Sequence, residues 1–386
     1  MTDTDPSSSQ WSLVATCARG CERALKFELK DLGIPRSRAA KGAVVFQAPP
    51  QGLADVNVFS RIASRVLWVL AEFRADEPDV LTGELAAVPF ERFLDEDTTF
   101  AIDAHVRGVP WSNSLFAAQR VKDVILDRLR ARRAGRPNVD VRQPDVRFMF
   151  HWDAGAVTLA VDSTGTALHH RGYRPRDAGV APMRENLAAA MLAIGHADIR
   201  RPFWDPVCGT GTLGIEQGLR SLRRFPGAKR NFAFERWRFS PRELRDALAM
   251  AKERALDEEK QEPEAPIRIS DFDEQQLERA RYGLERMGLS RHVEVRRLNA
   301  RTLRVSDERP VVVGNLPFGE RMGRDDERAL KALYQGIGAC LEQVPDLRAL
   351  FLSSHPQTDA WIGLGPHKTW SLYSGSLASV LFRWDR

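Results

Sequence analysis

The residues best suited to chemistry stand in the stretch VVVGNLPFGER, from Val311 to Arg321. Three β-branched valines predict a buried strand, and Asn315–Phe318 follows it directly. The Asn315 side-chain oxygen and the backbone carbonyl of Leu316 form a pair of acceptors that suits the exocyclic –NH₂ group of a nucleobase. Such an amine is a poor nucleophile, because its lone pair is conjugated with the ring. Two acceptors can orient it and stabilise the positive charge that grows as it attacks.

The last two residues of this stretch support the same chemistry. Pro317 stiffens the loop by fixing its own φ, and Phe318 offers a flat face on which a flipped base can stack, at roughly 1–3 kcal/mol per base. No histidine or carboxylate is required, because the proton can leave after the new bond has formed. Taken alone, the stretch could be a Pro-Phe turn at a strand end. The interpretation therefore depends on three further loops that follow predicted strands.

The first of these loops is DPVCGTGT, from Asp205 to Thr212. Its glycines, Gly209 and Gly211, allow a sharp turn and a close approach of the backbone to a ligand. The loop lacks the GxGxxG spacing of a dinucleotide site, which argues against a dehydrogenase, and it lacks the lysine of a phosphate-binding P-loop. Asp205 suits a cationic or amine-bearing ligand rather than a phosphate.

The other two loops carry single polar residues that fit a nucleoside. Asp271, in SDFD, can accept hydrogen bonds from both hydroxyls of a ribose, whereas Asp273 is expected to cap the helix that follows. Asn299, in LNA, could bind an adenine edge. Because ligands of open α/β sheets bind outside the carboxyl ends of the strands, we expect all four loops to meet at one site.

Two arginine-rich stretches could contact nucleic acid. In HHRGYRPR, from His169 to Arg176, arginines could bind phosphates and Tyr173 could stack on a base. The alternative is an interdomain linker whose Tyr and Arg side chains pack internally. RLRARRAGR, from Arg128 to Arg136, is either a further part of a basic track or a solvated helix end. No cysteine or carboxylate ligand set accompanies the two histidines of HHRGYRPR, His169 and His170, so no metal is predicted.

The elements that must position these loops fall into two patterns. Before residue 165, the sequence predicts a helix over CERALKFELKDLG, a strand over AVVFQA, a helix through VFSRIASRVLWVL and a strand over TTFAIDAHV. A helix from Asn113 and the strands VRFMFHW and AVTLAVD complete an α+β arrangement.

Beyond Pro182, expected at the first turn of a helix, strands and helices alternate. That alternation predicts a mostly parallel sheet with helices on both faces. HKTWSLY and SLASVLFRW predict an antiparallel hairpin at its edge, and ERALDEEKQEPEAP an exposed insertion.

Composition sets the remaining expectations. A length of 386 residues suggests two or three domains, and a net charge of +5 is compatible with a polyanionic partner. Four dispersed cysteines indicate neither a zinc site nor a disulfide framework. The first ten residues are predicted to be disordered. With no signal-type or membrane-spanning segment apparent, the protein is expected to be cytoplasmic, without a membrane partner. The oligomeric state is not indicated.

DPVCGTGT, SDFD and NLPFG resemble the motifs of class I S-adenosylmethionine-dependent methyltransferases that act on base amines. NLPFG is similar to the Asn-Pro-Pro-Tyr/Phe signature, with Leu316 in place of the first proline, and Asn299 stands where Asp is more usual. LHHRGYRP, APMRENLAAAML, RNFAFERW and PFGERMG resemble the bacterial THUMP-containing guanine-N2 methyltransferases of 23S ribosomal RNA. The resemblance runs from about Trp11 to Trp384.

This resemblance implies a fold and a domain order. The fold class is α/β, with a Rossmann-like class I methyltransferase domain preceded by α+β ferredoxin-like and THUMP modules. Its sheet is mostly parallel and seven-stranded, with the antiparallel C-terminal hairpin. The expected domains are a tail over 1–10, a ferredoxin-like module over 11–69, a THUMP RNA-binding domain over 70–165 and the methyltransferase domain over 166–386.

The resemblance also implies site residues. The methionine end of S-adenosylmethionine would be lined by Asp205, Pro206, Cys208, Gly209 and Gly211. Asp271 would hold its ribose, and Phe272 and Asn299 would flank its adenine. Asn315, Leu316, Pro317 and Phe318 would hold the target base, and Arg171, Tyr173 and Arg174 would contact RNA.

The predicted function is transfer of a methyl group to guanine N2 of 23S rRNA. Guanine in tRNA and adenine in RNA or DNA are alternatives with the same chemistry. A non-catalytic RNA-binding factor for ribosome assembly is the alternative from another class.

Overall fold

The computed structural model describes residues 9–111, 113–174, 183–318, 327–365, 368–375 and 377–386. Its strands are β1 (Trp11–Thr16), β2 (Ser37–Ala40), β3 (Ala43–Ala48), β4 (Arg65–Arg74), β5 (Thr99–Arg107), β6 (Asn138–Val139), β7 (Val146–Asp153), β8 (Ala156–Asp162), β9 (Phe203–Asp205), β10 (Ile267–Asp271), β11 (Val293–Arg297), β12 (Val311–Asn315), β13 (Arg348–Ser353), β14 (Lys368–Ser374) and β15 (Leu377–Asp385). Its α-helices are α1 (Glu22–Asp31), α2 (Pro50–Phe59), α3 (Pro78–Ala87), α4 (Ser114–Arg132), α5 (Glu185–Ile194), α6 (Thr212–Ser221), α7 (Arg242–Asp257), α8 (Glu274–Arg286), α9 (Glu327–Glu342) and α10 (Thr358–Ile362).

These elements form two compact units. Unit 1 contains Lys26–Leu168, Pro226–Arg254 and the described residues up to Thr16. Unit 2 contains Cys17–Leu25, His169–Phe225 and Ala255–Arg386. The chain therefore enters unit 1 three times, and the segment Pro226–Arg254 interrupts the stretch 166–386 that the sequence assigns to one domain.

Unit 1 is built on an eight-stranded sheet with the order β2-β3-β1-β4-β8-β7-β5-β6. Strand β4 pairs with β1 on one side and with β8 on the other, so it joins the two predicted N-terminal modules in one continuous sheet. The boundary predicted between residues 69 and 70 lies within this strand. The helix predicted through VFSRIASRVLWVL is wrong. Helix α2 ends at Phe59, and Val66–Leu70 is buried on both faces as part of a strand, which suits its β-branched and aromatic residues.

Pro226–Arg254 completes the core of unit 1. Trp237 is 2% exposed, and its ring lies 6.2 Å from that of Trp68, between centroids. Arg254, near the end of α7, donates to the Asp55 carboxylate over 2.8 Å. The predicted exposed insertion begins inside this helix, because α7 extends to Asp257.

Unit 2 is built on a seven-stranded sheet with the order β11-β10-β9-β12-β13-β15-β14. The first five of these strands are parallel, and β15 and β14 run antiparallel, as the sequence predicts. The strand order reverses between β9 and β12, and at such a reversal the loops leave the sheet in opposite directions and open a crevice. The proline expected to open α5, Pro182, lies outside the described residues.

Candidate active site

The turn after β9 is shaped by two glycines in the left-handed region. Gly209 has φ +51° and Gly211 has φ +78°. A Cβ at Gly211 would lie 3.0 Å from the Ala280 Cβ, so this glycine allows α6 to begin close against α8. The turn is fixed by a bond from the Cys208 N–H to the Ser270 carbonyl, over 2.9 Å. Gly211 thus shapes the turn and does not line the cleft described below, in contrast to the prediction.

Asp205 is the most unusual charged residue of the site. It is 1% exposed; its Oδ1 accepts from the Val207 N–H over 3.3 Å, and its buried Oδ2 has no hydrogen-bond partner among the described residues. Burial raises the pKa of this carboxyl well above its usual range, and the nearby Asp271 raises it further. An unsatisfied buried acceptor is costly, so the arrangement favours a ligand that brings a cationic donor.

Asp271 is held differently, although it ends the neighbouring strand. Its Oδ2 accepts from the Gly209 N–H over 2.9 Å and its Oδ1 from the Asp273 N–H over 3.0 Å. Burial raises the pKa of Asp271 despite these two bonds. Each oxygen keeps a lone pair, so the carboxylate can still accept from two hydroxyl groups. Asp273 caps α8 by accepting from the Gln275 N–H, as predicted.

Phe272 and Asn299 follow β10 and β11. The Phe272 side chain is 73% exposed, which leaves its ring face available for stacking. The Asn299 Oδ1 accepts from the Arg301 N–H over 3.0 Å and caps the 3₁₀ turn Ala300–Thr302. That bond uses one lone pair of the Oδ1 atom, so the amide can still accept through the second lone pair and donate through its N–H₂ group. It can therefore contact either a ring nitrogen or the amine of an adenine.

The Asn315–Phe318 loop leaves β12 at the same edge. The Leu316 N–H donates to the Leu352 carbonyl over 2.9 Å, and the Leu316 side chain is fully buried. An apolar residue therefore fits where the related signature has its first proline. The Pro317 carbonyl accepts from the Tyr334 hydroxyl over 2.8 Å. Gly319, Glu320 and Arg321, also singled out by sequence, lie outside the described residues.

Gly314 allows the loops after β9 and β12 to approach each other. A Cβ at this position would lie 2.8 Å from the Val207 Cγ2 and 3.1 Å from the Phe351 ring. The contact would force neighbouring side chains or backbone to move. The glycine before Asn315 is therefore a packing requirement.

These loops line one cleft of about 560 Å³ in unit 2. Apart from Gly211, every predicted cofactor or base residue lines it. Sequence reasoning missed nine further lining residues, which are Met183, Val207, Thr210, Thr212, Leu213, Gln276, Arg279, Ala300 and Leu333. Gln276 and Arg279 are three positions apart on α8 and therefore lie on one face of it. They could have been predicted by including the first turns of the helix that follows Asp271 in the site. Among the described lining residues, Arg279 is the only cation and could face an anionic group of a ligand.

The predicted RNA contacts at Arg171 and Tyr173 need correction. The Arg171 side chain is 1% exposed, with its Nε 3.5 Å from Glu216 Oε1, and the Tyr173 hydroxyl donates to the same carboxylate over 3.3 Å. Tyr173 is 2% exposed. Neither side chain has a surface on which a base or phosphate could bind, so the alternative interpretation, internal packing, is correct for these two.

Arg174 is also held from within unit 2. Its Nε lies 3.1 Å from the Glu185 carboxylate, and its guanidinium donates to the Met183 carbonyl. Met183 lines the cleft, so this arginine fixes one wall of the site. Pro175 and Arg176 lie outside the described residues.

The second arginine cluster is divided in its roles. Arg128 donates from Nε and Nη2 to the two oxygens of Glu91, over 2.8 and 2.7 Å, and this pairing holds the pKa of Glu91 below its usual range. Arg130, Arg132, Arg133 and Arg136 are exposed. Within this cluster, Arg130 pairs with Asp127 over 2.8 Å and Arg132 lies 4.0 Å from Glu91, so Arg133 and Arg136 are the two without a described ion pair.

The parts of the chain that the structure describes contain no group of three His, Cys, Asp or Glu residues that could hold a metal ion. No helix there has the length and apolar composition needed to cross a membrane.

Three family models match consecutive parts of the chain. They are an RlmL ferredoxin-like domain over residues 12–67, a THUMP domain over 75–162 and an RMKL-like methyltransferase domain over 171–359. Among curated proteins, the chain is 35% identical over 96% of its length to a ribosomal RNA large subunit methyltransferase K/L from Syntrophotalea carbinolica. The protein of the same name from Pseudomonas aeruginosa is 34% identical. The chain spans about half the length of these relatives, 53% and 52% respectively.

Several solved structures match almost the whole chain, and two of them illustrate the similarity. One is SMU.472, described as a methyltransferase and solved in complex with SAH, with a TM-score of 0.89, 26% identity and 98% coverage of both chains. The other is described as an N6-adenine-specific DNA methylase from Listeria monocytogenes, with a TM-score of 0.86 and 30% identity over 97% of this chain and 96% of that one. The agreement of three consecutive domains and of the complete fold shows that this chain belongs to the THUMP-containing family of RMKL-like methyltransferases.

Proposed function

We propose that this protein is an S-adenosylmethionine-dependent RNA methyltransferase that modifies an exocyclic base amine, guanine N2 of 23S rRNA. The observation that carries the proposal is that Asp205 and Asn315 line one cleft. Asp205 brings a buried carboxylate oxygen without a described hydrogen-bond partner, and Asn315 brings a half-buried side-chain amide. The carboxylate suits an ammonium group, and the amide oxygen suits an amine.

The residues around Asp205 fit the cofactor from end to end. Asp205 would accept from the ammonium of the methionine part, while the backbone at Gly209 leaves room beside it. Asp271 would accept from the ribose hydroxyls, and the exposed Phe272 ring and the Asn299 amide would contact the adenine. When bound, S-adenosylmethionine supplies an electrophilic methyl group on a sulfonium.

The Asn315 loop would hold and orient the target base. The Asn315 Oδ1 and the Leu316 carbonyl would accept the two amine hydrogens, which directs the nitrogen lone pair out of conjugation and stabilises the developing positive charge. Phe318 would stack on the base, and Pro317 limits the freedom of the loop. The amine proton would leave once the new C–N bond has made the nitrogen cationic, so the transfer step itself requires no general base.

The choice of RNA is supported by the THUMP match over residues 75–162 and by the names of the curated relatives. A basic chain with a pI near 9.1 suits a polyanion. The proposed compartment is the cytoplasm, where a bacterial ribosomal RNA would be met. Guanine of tRNA is the sister alternative. An adenine amine is a second candidate, because the Listeria relative is described as an adenine-specific methylase and both amines fit two acceptors.

The test is tritium transfer from labelled S-adenosylmethionine to unmodified total RNA, followed by size fractionation and nucleoside analysis. Asn315→Ala is expected to reduce transfer by about 100-fold or more, because one of two acceptors of the transition state is lost. Asn231→Ala, an exposed asparagine outside the THUMP match, is the matched control and should transfer normally.

Each pattern of labelling selects one function. N2-methylguanosine in large-subunit RNA supports the proposal, and label in tRNA or in adenosine moves it to the corresponding alternative. No label on free RNA or on ribosomal particles, despite tight cofactor binding, would favour the non-catalytic assembly factor.

A further inference from the structure

Tyr334 lies beneath the Asn315–Phe318 loop and is connected to it by a hydrogen bond. Its residue is fully buried in α9, and its hydroxyl lies 2.8 Å from the Pro317 carbonyl oxygen. A carbonyl can only accept, so Tyr334 must be the donor. We infer that Tyr334 is a positioning residue for methyl transfer, one that fixes the Pro317 peptide and so orients the Leu316 carbonyl and the Phe318 ring. The inference rests on the proposed function.

The environment of the hydroxyl supports one direction of donation. Tyr334 Oη lies 3.0 Å from Ser353 Oγ, and Ser353 Oγ lies 2.8 Å from Thr358 Oγ1, which is 2.7 Å from the His355 carbonyl. Three hydroxyl groups thus form a chain between two carbonyls, those of Pro317 and His355. The chain has four contacts but only three protons, so one contact must lack a proton.

The two carbonyl ends fix two of the three protons, because a carbonyl can only accept: Thr358 donates to the His355 carbonyl over 2.7 Å and Tyr334 donates to the Pro317 carbonyl. Tyr334 is the only described donor to the Pro317 carbonyl, whereas the His355 carbonyl also accepts from the Thr358 N–H over 3.3 Å. The third proton, on Ser353, is shared with its two hydroxyl neighbours, of which Tyr334 is the more distant at 3.0 Å. Ser353 Oγ also accepts from the His355 N–H over 3.0 Å, which fills one of its lone pairs.

The ring of Tyr334 is fixed as firmly as its hydroxyl. It contacts the Trp361 ring with a centroid distance of 5.8 Å, and His355 stacks on Trp361 at 4.2 Å. Burial raises the pKa of Tyr334, so its hydroxyl keeps the donated proton at neutral pH. A rigid donor at this position limits rotation of the Pro317 peptide, and small errors in the placement of reacting groups reduce rates strongly.

The main test is Tyr334→Phe, which keeps the ring and removes the donor. We expect kcat for methyl transfer to fall about tenfold, because a buried carbonyl loses its donor and the loop becomes less ordered. The Kd for S-adenosylhomocysteine should stay within about twofold of wild type, since Tyr334 is not among the described lining residues of the cleft. Tyr282→Phe, on the half-exposed face of α8, is the matched control and should leave kcat unchanged.

A second variant separates positioning from stability. Ser353→Ala breaks the same hydroxyl chain one step farther from the loop, but leaves Tyr334 donating to Pro317. It should lower the unfolding temperature as much as Tyr334→Phe does, while kcat stays within about threefold of wild type. Combining Tyr334→Phe with Pro317→Ala should reduce kcat by less than the product of the single effects, because both changes release the same loop.

The outcomes distinguish two failures. Wild-type kcat in Tyr334→Phe, or equal losses of kcat in Tyr334→Phe and Ser353→Ala, would overturn this inference while the proposed function stands. Wild-type protein that transfers no methyl group to any RNA or particle would overturn the proposed function, and this inference with it.

Discussion

Two groups of buried carboxylates in unit 2 are arranged in opposite ways. Glu216 and Glu185 each face an arginine of the segment 171–174, at 3.5 and 3.1 Å. Asp205 is equally buried, and like Glu216 it has one oxygen without a described hydrogen-bond partner, but no arginine or lysine of the described residues pairs with it. A buried charge whose partner belongs to the same chain holds the fold together. A buried charge that lacks one costs stability until a ligand supplies it.

This contrast predicts opposite signs for the loss of a carboxylate. Glu216→Ala should lower the free energy of unfolding by about 3 kcal/mol, because the buried Arg171 guanidinium loses a carboxylate that faces it at 3.5 Å. Denaturant titration would measure the change. Glu258→Ala, which breaks the more exposed pair with Arg223, should cost at most about 1 kcal/mol. Equal costs for the two variants would show that burial of the first pair has no energetic weight.

Asp205→Asn should change stability in the other direction. The raised pKa means that the folded protein holds a proton that the unfolded chain releases, so stability falls as the pH rises through that window. At neutral pH the neutral amide should therefore raise the unfolding temperature of the ligand-free protein. The Kd for S-adenosylhomocysteine should rise about tenfold or more, because an ionic hydrogen bond is lost. Calorimetry on the wild type and on Asp205→Asn would measure both quantities. An unfolding temperature that falls in Asp205→Asn, or a Kd that stays at the wild-type value, would contradict the prediction.

The pH dependence of binding sharpens the same point. As the pH falls through the raised pKa of Asp205, the carboxyl becomes protonated and can no longer pair with an ammonium group. The Kd for S-adenosylhomocysteine should then weaken by up to about tenfold per pH unit. In Asp205→Asn the Kd should be weak at all pH values and independent of pH. A wild-type Kd that stays constant as the pH is lowered to the limit at which the protein remains folded would exclude Asp205 as the ammonium partner.

The smallest effect is expected at the exposed arginines after α4. Changing Arg133 and Arg136 to Gln should weaken RNA binding about two- to fivefold and reduce its salt dependence by about one unit of slope per lost phosphate contact. Arg171→Gln should instead lower stability and leave the RNA affinity of the folded protein unchanged. Filter binding at several salt concentrations would compare them. A larger loss of RNA affinity in Arg171→Gln would restore the original prediction.

The sequence was sufficient to predict which residues meet in one cleft where each of them directly follows a strand. Asp205, Asp271 and Asn315 follow predicted strands, and parallel strands bring their carboxyl ends to one edge of a sheet. It was insufficient where the outcome depends on a distant partner. The basic appearance of RGYR gave no sign that Glu216, more than forty positions later, would neutralise it. Arg279 was missed for the same reason, since a single helical arginine is informative only once the cleft is known.

Errors in the fold have a similar origin. The run RVLWVL has apolar residues at nearly every position, so its periodicity fits a buried helix and a buried strand equally well. Its pairing with β1 and β8 decides in favour of the strand, and neither partner is local. The contribution of Pro226–Arg254 to unit 1 was likewise hidden, because its aromatic residues are explained only by Trp68 and Phe93.

That segment has a consequence for the order in which the protein can fold. Trp237 and Phe239 fill the core of unit 1, with the Phe239 ring 5.1 Å from Phe93 and 6.3 Å from Trp68, between centroids. During synthesis, these two residues are added only after the segment His169–Phe225 of unit 2. The N-terminal unit therefore cannot close its core until residue 254 has left the ribosome. Until then Trp68 and Phe93 stay accessible to chaperones and to other nascent chains. This exposure lasts for the time needed to add the more than eighty residues between Leu168 and Arg254.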